Sequence, residues 1–190
     1  MGFLDALLGR TKPVKPNLDE LFALPGAALT LEAGTDFKPT GSGSVCFRAA
    51  EGKAFADIEK DVTDLLSMDK DANPVQVTVD SYRFTWVVCK HSPGDPEGLV
   101  TDLHAVNSSL EGAGFGPQLL CTIMAFRDSG GRSLGLVYLY KRGTFYPFAP
   151  LRGEQRDNAL ELQIRGVLGD DLKIEPDLSR WMPIWGAPGL

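Results

Sequence analysis

His104 stands beside Asp102, Asn107 and Ser108, and a histidine with a carboxylate and a hydroxyl in reach is the raw material of a hydrolase triad. The surrounding sequence does not support that chemistry. The pattern G-x-S-x-G occurs at Gly131 to Gly135, but between two expected strands and not at the strand-to-helix turn of a nucleophile elbow, and there is no cysteine-nucleophile signature; one histidine amid scattered polar residues is also what a satisfied, partly buried histidine looks like. An unrecognised hydrolase centred on His104 therefore stands as an alternative, and no catalytic residue is assigned. His91, at a strand end before Ser92-Pro93, reads as incidental.

Cys89-Lys90-His91 is the nearest approach to a metal pair, and it lacks a second half with ligand spacing. Cys46, Cys89 and Cys121 each sit inside an apolar run and form no C-x-x-C. They are expected to be reduced, buried thiols in a reducing compartment. The residues give no metal site and no cofactor. Gly112, Gly114 and Gly116 tempt a phosphate-loop reading, but they follow a helix and precede a strand, the reverse of the order that aims amide donors at a phosphate.

Leu136 to Pro150, LVYLYKRGTFYPFAP, is dense in aromatic and cationic side chains. Tyr140, Lys141, Arg142 and Tyr146 could hold an anion, with the guanidinium as a fork of donors and the tyrosines as polar tips. The plainer reading makes Tyr138 and Tyr140 core residues with wet ends and lets Lys-Arg close a hairpin. Phe148 continues the aromatic series, and Trp181 and Trp185 follow in the tail RWMPIWGAP. That tail either folds back on the core or presents a partner surface. At the other end, Phe3, Leu4, Leu7 and Leu8 at helical spacing, with Arg10, Lys12 and Lys15 behind them, could lie on an anionic membrane surface or pack on a helical partner.

These residues must be positioned by a modest set of elements. Asn17 is placed to cap a short helix LDELFAL with Glu20 as in a capping box, and Pro25-Gly26 is expected to stop it. Next come a strand near Ala28 to Glu32, a Gly/Ser loop from Thr40 to Ser44 and a strand from Val45 to Arg48. A helix from about Lys53 to Ser67 follows, with Phe55, Ile58, Val62, Leu65 and Leu66 on its apolar face. Val75, Val77 and Val79, then Tyr82, Phe84, Trp86 and Val88, alternate as strands about a hairpin near Asp80-Ser81.

Asp95-Pro96 opens a helix to about Glu111 that buries Leu99, Leu103, Val106 and Leu110. Leu119 to Phe126 and Leu134 to Tyr140 form a hairpin through Asp128 to Gly131, the first of them apolar on both faces and so central. Pro147 and Pro150 bar their segment from a central position. A last helix runs from about Asp157 to Leu168.

Strand, strand, helix recurring three times predicts an α+β fold, an antiparallel sheet with helices packed against it. The expected division is an N-terminal helical segment and linker over 1–24 and a single domain over 25–190. A net charge of -6 argues against a nucleic-acid partner. No apolar run reaches the roughly 20 residues of a membrane span, and the N-terminus lacks the pattern of a leader peptide. The expected location is the cytoplasm, with peripheral contact at the inner membrane face open to the N-terminal piece.

Taken together, MGFLDALLGRTKPVKPNLDELFALP, DLHAVNSSLEGAGFGPQLLC, LVYLYKRGTFYPFAP, DNALELQIRGVLGDDL and DLSRWMPIWGAPGL resemble the actinobacterial PspA-associated protein B family over essentially the whole chain. The resemblance implies association with phage-shock protein A, the peripheral coiled-coil protein of envelope stress, and brings no catalytic residues with it. The central part is similar in layout to the YbjN and type III secretion chaperone group, which implies a sheet used as a binding surface and a possible homodimer. The function expected is a non-enzymatic binding or adaptor protein of the envelope-stress system. An anion- or nucleotide-responsive sensor using Lys141, Arg142 and Tyr146 is the first alternative.

Overall fold

The computed structural model describes residues 16–48, 60 and 75–190. The N-terminal piece with Phe3, Leu4, Leu7 and Leu8 and, apart from residue 60, the helix expected over 53–67 lie outside the described residues. The architecture is the expected α+β one. A six-stranded sheet, antiparallel in every pairing, has helices against one face.

The chain enters through a 3-10 turn, Leu18–Ala23, and continues into helix α1, Leu24–Gly34. Both differ from the sequence expectation. Asn17 makes no side-chain bond to the turn's backbone, its amide reaching Glu20 Oε1 instead at 3.3 Å. Pro25-Gly26 opens a helix here and does not stop one, because proline in the first helical turn has no intrahelical N–H to lose. Residues 28–32 are helical, not a strand. Leu24, Ala27, Ala28 and Leu31 fall at i, i+3, i+4 and i+7 and are all buried, a stripe that only a helix can put on one side.

Strand β1, Lys38–Arg48, runs through the Gly/Ser stretch that was expected to be a loop. The stretch is a bulge within the strand. Pro39 opposes Phe126 and Gly43 opposes Met124, so Thr40, Gly41 and Ser42 together face Ala125. Gly41 has φ +75°, and a Cβ there would lie 2.2 Å from the His91 carbonyl oxygen. Gly43 is equally constrained, since a Cβ would meet Leu103 Cδ1 at 2.7 Å where the helix above packs on the sheet.

Strands β2, Gln76–Val79, and β3, Phe84–Lys90, form the hairpin expected at Asp80-Ser81. Helix α2, Pro96–Leu110, begins with Asp95 accepting from the Gly98 amide at 2.9 Å. Its chain then turns through Gly114 at φ +87° into β4, Leu119–Arg127. β4 pairs with β5, Ser133–Leu139, and β5 with β6, Thr144–Phe148. A small ribbon, β7 Pro150–Leu151 with β8 Gln155–Arg156, precedes helix α3, Asn158–Leu168, capped by Asp157. The strand order β2-β3-β1-β4-β5-β6 puts β4 inside the sheet and leaves Pro147 on an edge strand, as the apolar pattern and the prolines required. With α1 in place of the first strand, the threefold strand-strand-helix layout does not hold.

Alternation assigns the two faces. Val45, Phe47, Val87, Cys89, Met124, Phe126, Tyr138 and Phe145 pack under α1, α2 and α3 in the larger core. Cys46, Trp86, Cys121, Ile123, Val137, Tyr146 and Phe148 point the other way, under the C-terminal tail with Trp181 and Ala187. One buried polar pair crosses the helix face: Asn107 Nδ2 donates to the Leu103 carbonyl and to Thr122 Oγ1, each at 2.8 Å.

His91 is not incidental. Its Nδ1 lies 3.0 Å from Asp95 Oδ2 and its Nε2 2.7 Å from Asp102 Oδ2, which only a doubly protonated ring can satisfy by donating from both nitrogens. Gly98 makes room, since a Cβ there would lie 2.9 Å from His91 Nδ1. Partial burial of the ring disfavours its charge, but the hydrogen bonds and charges of Asp102 and Asp95 outweigh this, so the His91 pKa is raised. A raised pKa contributes stability that is complete below the unfolded value of about 6.5 and is lost as pH rises through the folded one. Urea midpoints should therefore fall on going from about pH 6 to about pH 8, and His91→Gln should flatten that dependence. An equal slope in the variant would refute the assignment.

Candidate functional site

The face of the sheet opposite the helices is covered by irregular chain, and the cover is incomplete. A cavity of about 580 Å³ opens between the sheet and the tail segment Met182–Trp185. Its floor is Cys46 from β1, Trp86 from β3 and Cys121 from β4, and Tyr146 and Leu139 close the side toward β6. Tyr82 and Met182, at 54% and 59% exposure, stand at the mouth with Asp80 and Glu154.

Asp80 organises the near wall. Its Oδ1 accepts from the Tyr82 and Phe84 amides, its Oδ2 from Trp86 Nε1, all at 2.9 Å. One carboxylate thus satisfies the turn and orients the indole. Arg83, with φ +67°, is the residue that bends the turn.

The opposite wall is the tail, fixed by polar anchors around Trp181. Tyr146 Oη donates to the Met182 carbonyl at 2.7 Å, Trp181 Nε1 to the Glu175 carbonyl at 3.0 Å, and Arg156 Nη1 to the Trp181 carbonyl at 2.6 Å. Trp181 stacks on Tyr146 with ring centroids 6.0 Å apart, and Trp185 meets Phe148 edge-on at 5.0 Å. Burial raises the Tyr146 pKa well above the ordinary phenol value, so its hydroxyl stays a donor at any physiological pH.

Cys46 and Cys121 are directly opposed across β1 and β4 and are both free thiols. The hydrogen bond to Cys121, then burial, raises the Cys46 pKa. A thiol so held is a small apolar surface and a poor nucleophile. Cys89 is inside the helix-side core, with its pKa pushed up to about 12 chiefly by burial. Among the described residues no group of three or more histidine, cysteine or acidic side chains is arranged to hold a metal.

The structure separates Lys141, Arg142 and Tyr146. Arg142 forms a forked pair with Glu175, Nε to Oε2 at 3.1 Å and Nη2 to Oε1 at 3.3 Å, while Thr144 Oγ1 donates to the same Oε2 at 2.7 Å. Glu175 is fully buried. Burial works against its charge, and the hydrogen bonds from Arg142 and Thr144 overcome this and hold its pKa below the ordinary value. Lys141 is exposed beside Tyr140, Glu111, Gly116 and Pro117 around a separate depression of about 450 Å³. Tyr140 is itself buried, and its hydroxyl is pushed up to about 12 by burial and by the Glu111 charge. Tyr146, Phe148, Trp181 and Trp185 do come together, as the tail-side core and the far wall of the cavity.

His104 sits on α2 with its ring against Phe22 at 4.8 Å. Ser108 Oγ is 3.4 Å from its Nδ1 and Asp19 Oδ1 is 3.6 Å from its Nε2. Both distances exceed the 2.6–3.2 Å typical of a working nucleophile-base relay, and Asp19 is 84% exposed.

From sequence, Asp80, Tyr82, Trp86 and the opposed cysteines read as turn, strand and core residues and not as parts of a site, and only the Asp followed two residues later by an aromatic alternation hints at a turn that carries side chains inward. The anchoring of the tail gives a direct expectation. Glu175→Gln should cost about 2 kcal/mol in urea unfolding, less than a fully buried pair because the Arg142 side chain is 40% exposed. It should also speed hydrogen exchange over Met182 to Trp185, whereas Lys141→Ala should change neither. Equal effects of the two substitutions would show that the corner does not act through Glu175.

No curated protein matches the chain and no solved structure matches it. A family model does, that of PspA associated protein B, over residues 1–189. An α+β protein with an antiparallel sheet, whose sequence fits that family model from end to end, belongs to the PspA associated protein B family.

Proposed function

We propose that the chain is a non-enzymatic adaptor of the PspA envelope-stress system, and that the cavity between the sheet and the tail receives apolar side chains from a helix of the PspA-type coiled coil. The observation that supports this most is the cavity itself. Its volume of about 580 Å³ is in the range of sites that bury a compact apolar group. Aromatic walls fixed by hydrogen bonds, as Trp86 is by Asp80 and Tyr146 by the tail, lose little freedom on binding, which is the condition for a few residues to dominate an interface.

The partner chemistry follows from the rim. Asp80 and Glu154 at the mouth, in a chain of net charge -6, favour a helix whose apolar knobs are flanked by lysine or arginine. The cytoplasmic location expected from sequence, with contact at the inner membrane face, agrees with a peripheral coiled-coil partner. The low nucleophilicity of Cys46 and the long contacts of His104 support a binding role over a catalytic one.

Titration of the purified chain with its PspA-type partner from the same cell, followed by calorimetry, tests the reading. Saturable binding is expected, weakened about tenfold or more by Met182→Asp and by Tyr82→Ala, exposed substitutions that leave the core intact. The proposal fails if no binding occurs, or if both variants bind like the parent protein.

A further inference from the structure

The same face of the sheet carries a second basin at its other end, of opposite character. It measures about 370 Å³ and is lined by Thr40 and Ser42 of β1, Thr78 of β2, Lys90 of β3 and Arg127 of β4. β1 lies between β3 and β4, with Lys90 opposite Ser42 and Arg127 opposite Lys38, so the two cations stand on a diagonal across β1, more than two strand spacings (roughly 10 Å) apart at the backbone.

The bulge in β1 builds this basin. Thr40 Oγ1 donates to the Ala125 carbonyl at 3.1 Å and accepts from the Ser42 amide at 3.2 Å, while the Gly41 carbonyl accepts from the His91 amide at 2.8 Å. The bulge's backbone and Thr40 are thereby satisfied within the sheet, and the Ser42 hydroxyl is left over. The tail closes the side: Gly189 has φ +92°, and a Cβ there would lie 2.7 Å from Ser42 Oγ, so only glycine lets the chain pass so near. A bulge and a glycine approach that both serve one hydroxyl are features of a shaped site.

Among the described residues, the Arg127 guanidinium and the Ser42 and Thr78 hydroxyls have no hydrogen-bond or ion-pair partner. Ser44, next on this face of β1, has its Oγ buried without a partner. The unpaired Arg127 guanidinium faces this basin, which Lys90 also lines, in a chain whose net charge is -6. A forked guanidinium, an ammonium and hydroxyl donors match the several oxygens of a phosphate group better than a single carboxylate. The volume exceeds what a bare phosphate fills and leaves room for a polar body against Gln76 and Thr78.

We propose that this basin is a binding site for a phosphate group carried on a small polar molecule, as a phosphorylated metabolite or a phospholipid headgroup, with Arg127, Lys90 and Ser42 as the phosphate ligands. It is independent of the apolar cavity and of the adaptor reading.

Titrating glycerol 3-phosphate and inorganic phosphate into the ¹⁵N-labelled protein should shift the Ser42, Thr78 and Arg127 amides saturably, while glycerol should not. Arg127→Gln, an exposed substitution, should weaken glycerol 3-phosphate about tenfold or more with the urea midpoint unchanged. Flotation with vesicles of phosphatidylglycerol against phosphatidylcholine separates the two sources, since Arg127-dependent flotation identifies a lipid headgroup and its absence beside binding of glycerol 3-phosphate identifies a soluble ligand. The proposal is overturned if neither phosphate probe gives saturable shifts and flotation does not depend on Arg127, or if Arg127→Gln binds glycerol 3-phosphate as the parent does.

Discussion

The tail-covered half of this protein depends on a carboxylate with no exposure to water. Glu175 holds the Arg142 guanidinium, the Thr144 hydroxyl and the Asp177 amide on its two oxygens. Its own backbone ties β6 to the tail: the Glu175 amide donates to the Phe145 carbonyl of β6 at 2.7 Å and its carbonyl receives the Trp181 indole. An uncompensated carboxylate could not remain there, because the desolvation penalty of a buried ion runs to several kcal/mol. The tail therefore takes the one course that brings these donors together. A second carboxylate repeats the device. Glu161, also buried, accepts from the Ala149 amide and from Arg156, and Arg156 in turn donates to the Trp181 carbonyl and stacks on Phe148. Trp181 is held from both sides, its carbonyl by the Arg156 guanidinium of β8 and its indole N–H by the Glu175 carbonyl.

That arrangement explains why the two faces differ. Helices offer long apolar stripes, and α1, α2 and α3 close their face with Leu, Ala, Val and Ile side chains that interdigitate with the sheet. An irregular tail cannot do this. It covers the sheet at the places where an aromatic ring or a backbone carbonyl is pinned, and between Trp181 and Ala187 it bridges over Cys46, Trp86 and Cys121 without filling the space beneath. The cavity is thus the consequence of covering a flat apolar surface with pinned chain.

Much of the sheet was legible in the sequence, because period-two alternation and turn chemistry are local. The hairpins at Asp80 and Asp128, the Asp95 cap, the last helix from about Asp157 and the central place of β4 all follow from residues within a dozen positions. Errors arose where a local rule has two outcomes. Pro25-Gly26 reads as a stop, yet proline is accepted in a first turn, and the Leu24, Ala27, Ala28 and Leu31 stripe shows which outcome applies. Glycines and serines from 40 to 44 read as a loop, yet glycine also serves a bulge, here because the His91 carbonyl leaves no room for a Cβ at Gly41. The role of His91 has no local signature, because its two carboxylates lie four and eleven residues away, and only the Asp95 cap and the first turns of α2 bring both to the ring.

The cavity was illegible for a different reason. Cys46, Asp80, Trp86, Cys121, Tyr146 and Trp185 share no spacing and no motif, and each taken alone reads as an ordinary strand or turn residue. What unites them is the register of β1 against both β3 and β4, which sets Cys46 opposite Trp86 on one side and Cys121 on the other. A one-residue slip in either pairing would turn those side chains into the helix-side core and remove the floor. The Gly41 bulge and the close approach of Gly43 to Leu103 fix that register from the far end of the same strand. One strand thus supplies part of both sites, Cys46 to the floor of the cavity and Thr40 and Ser42 to the polar basin.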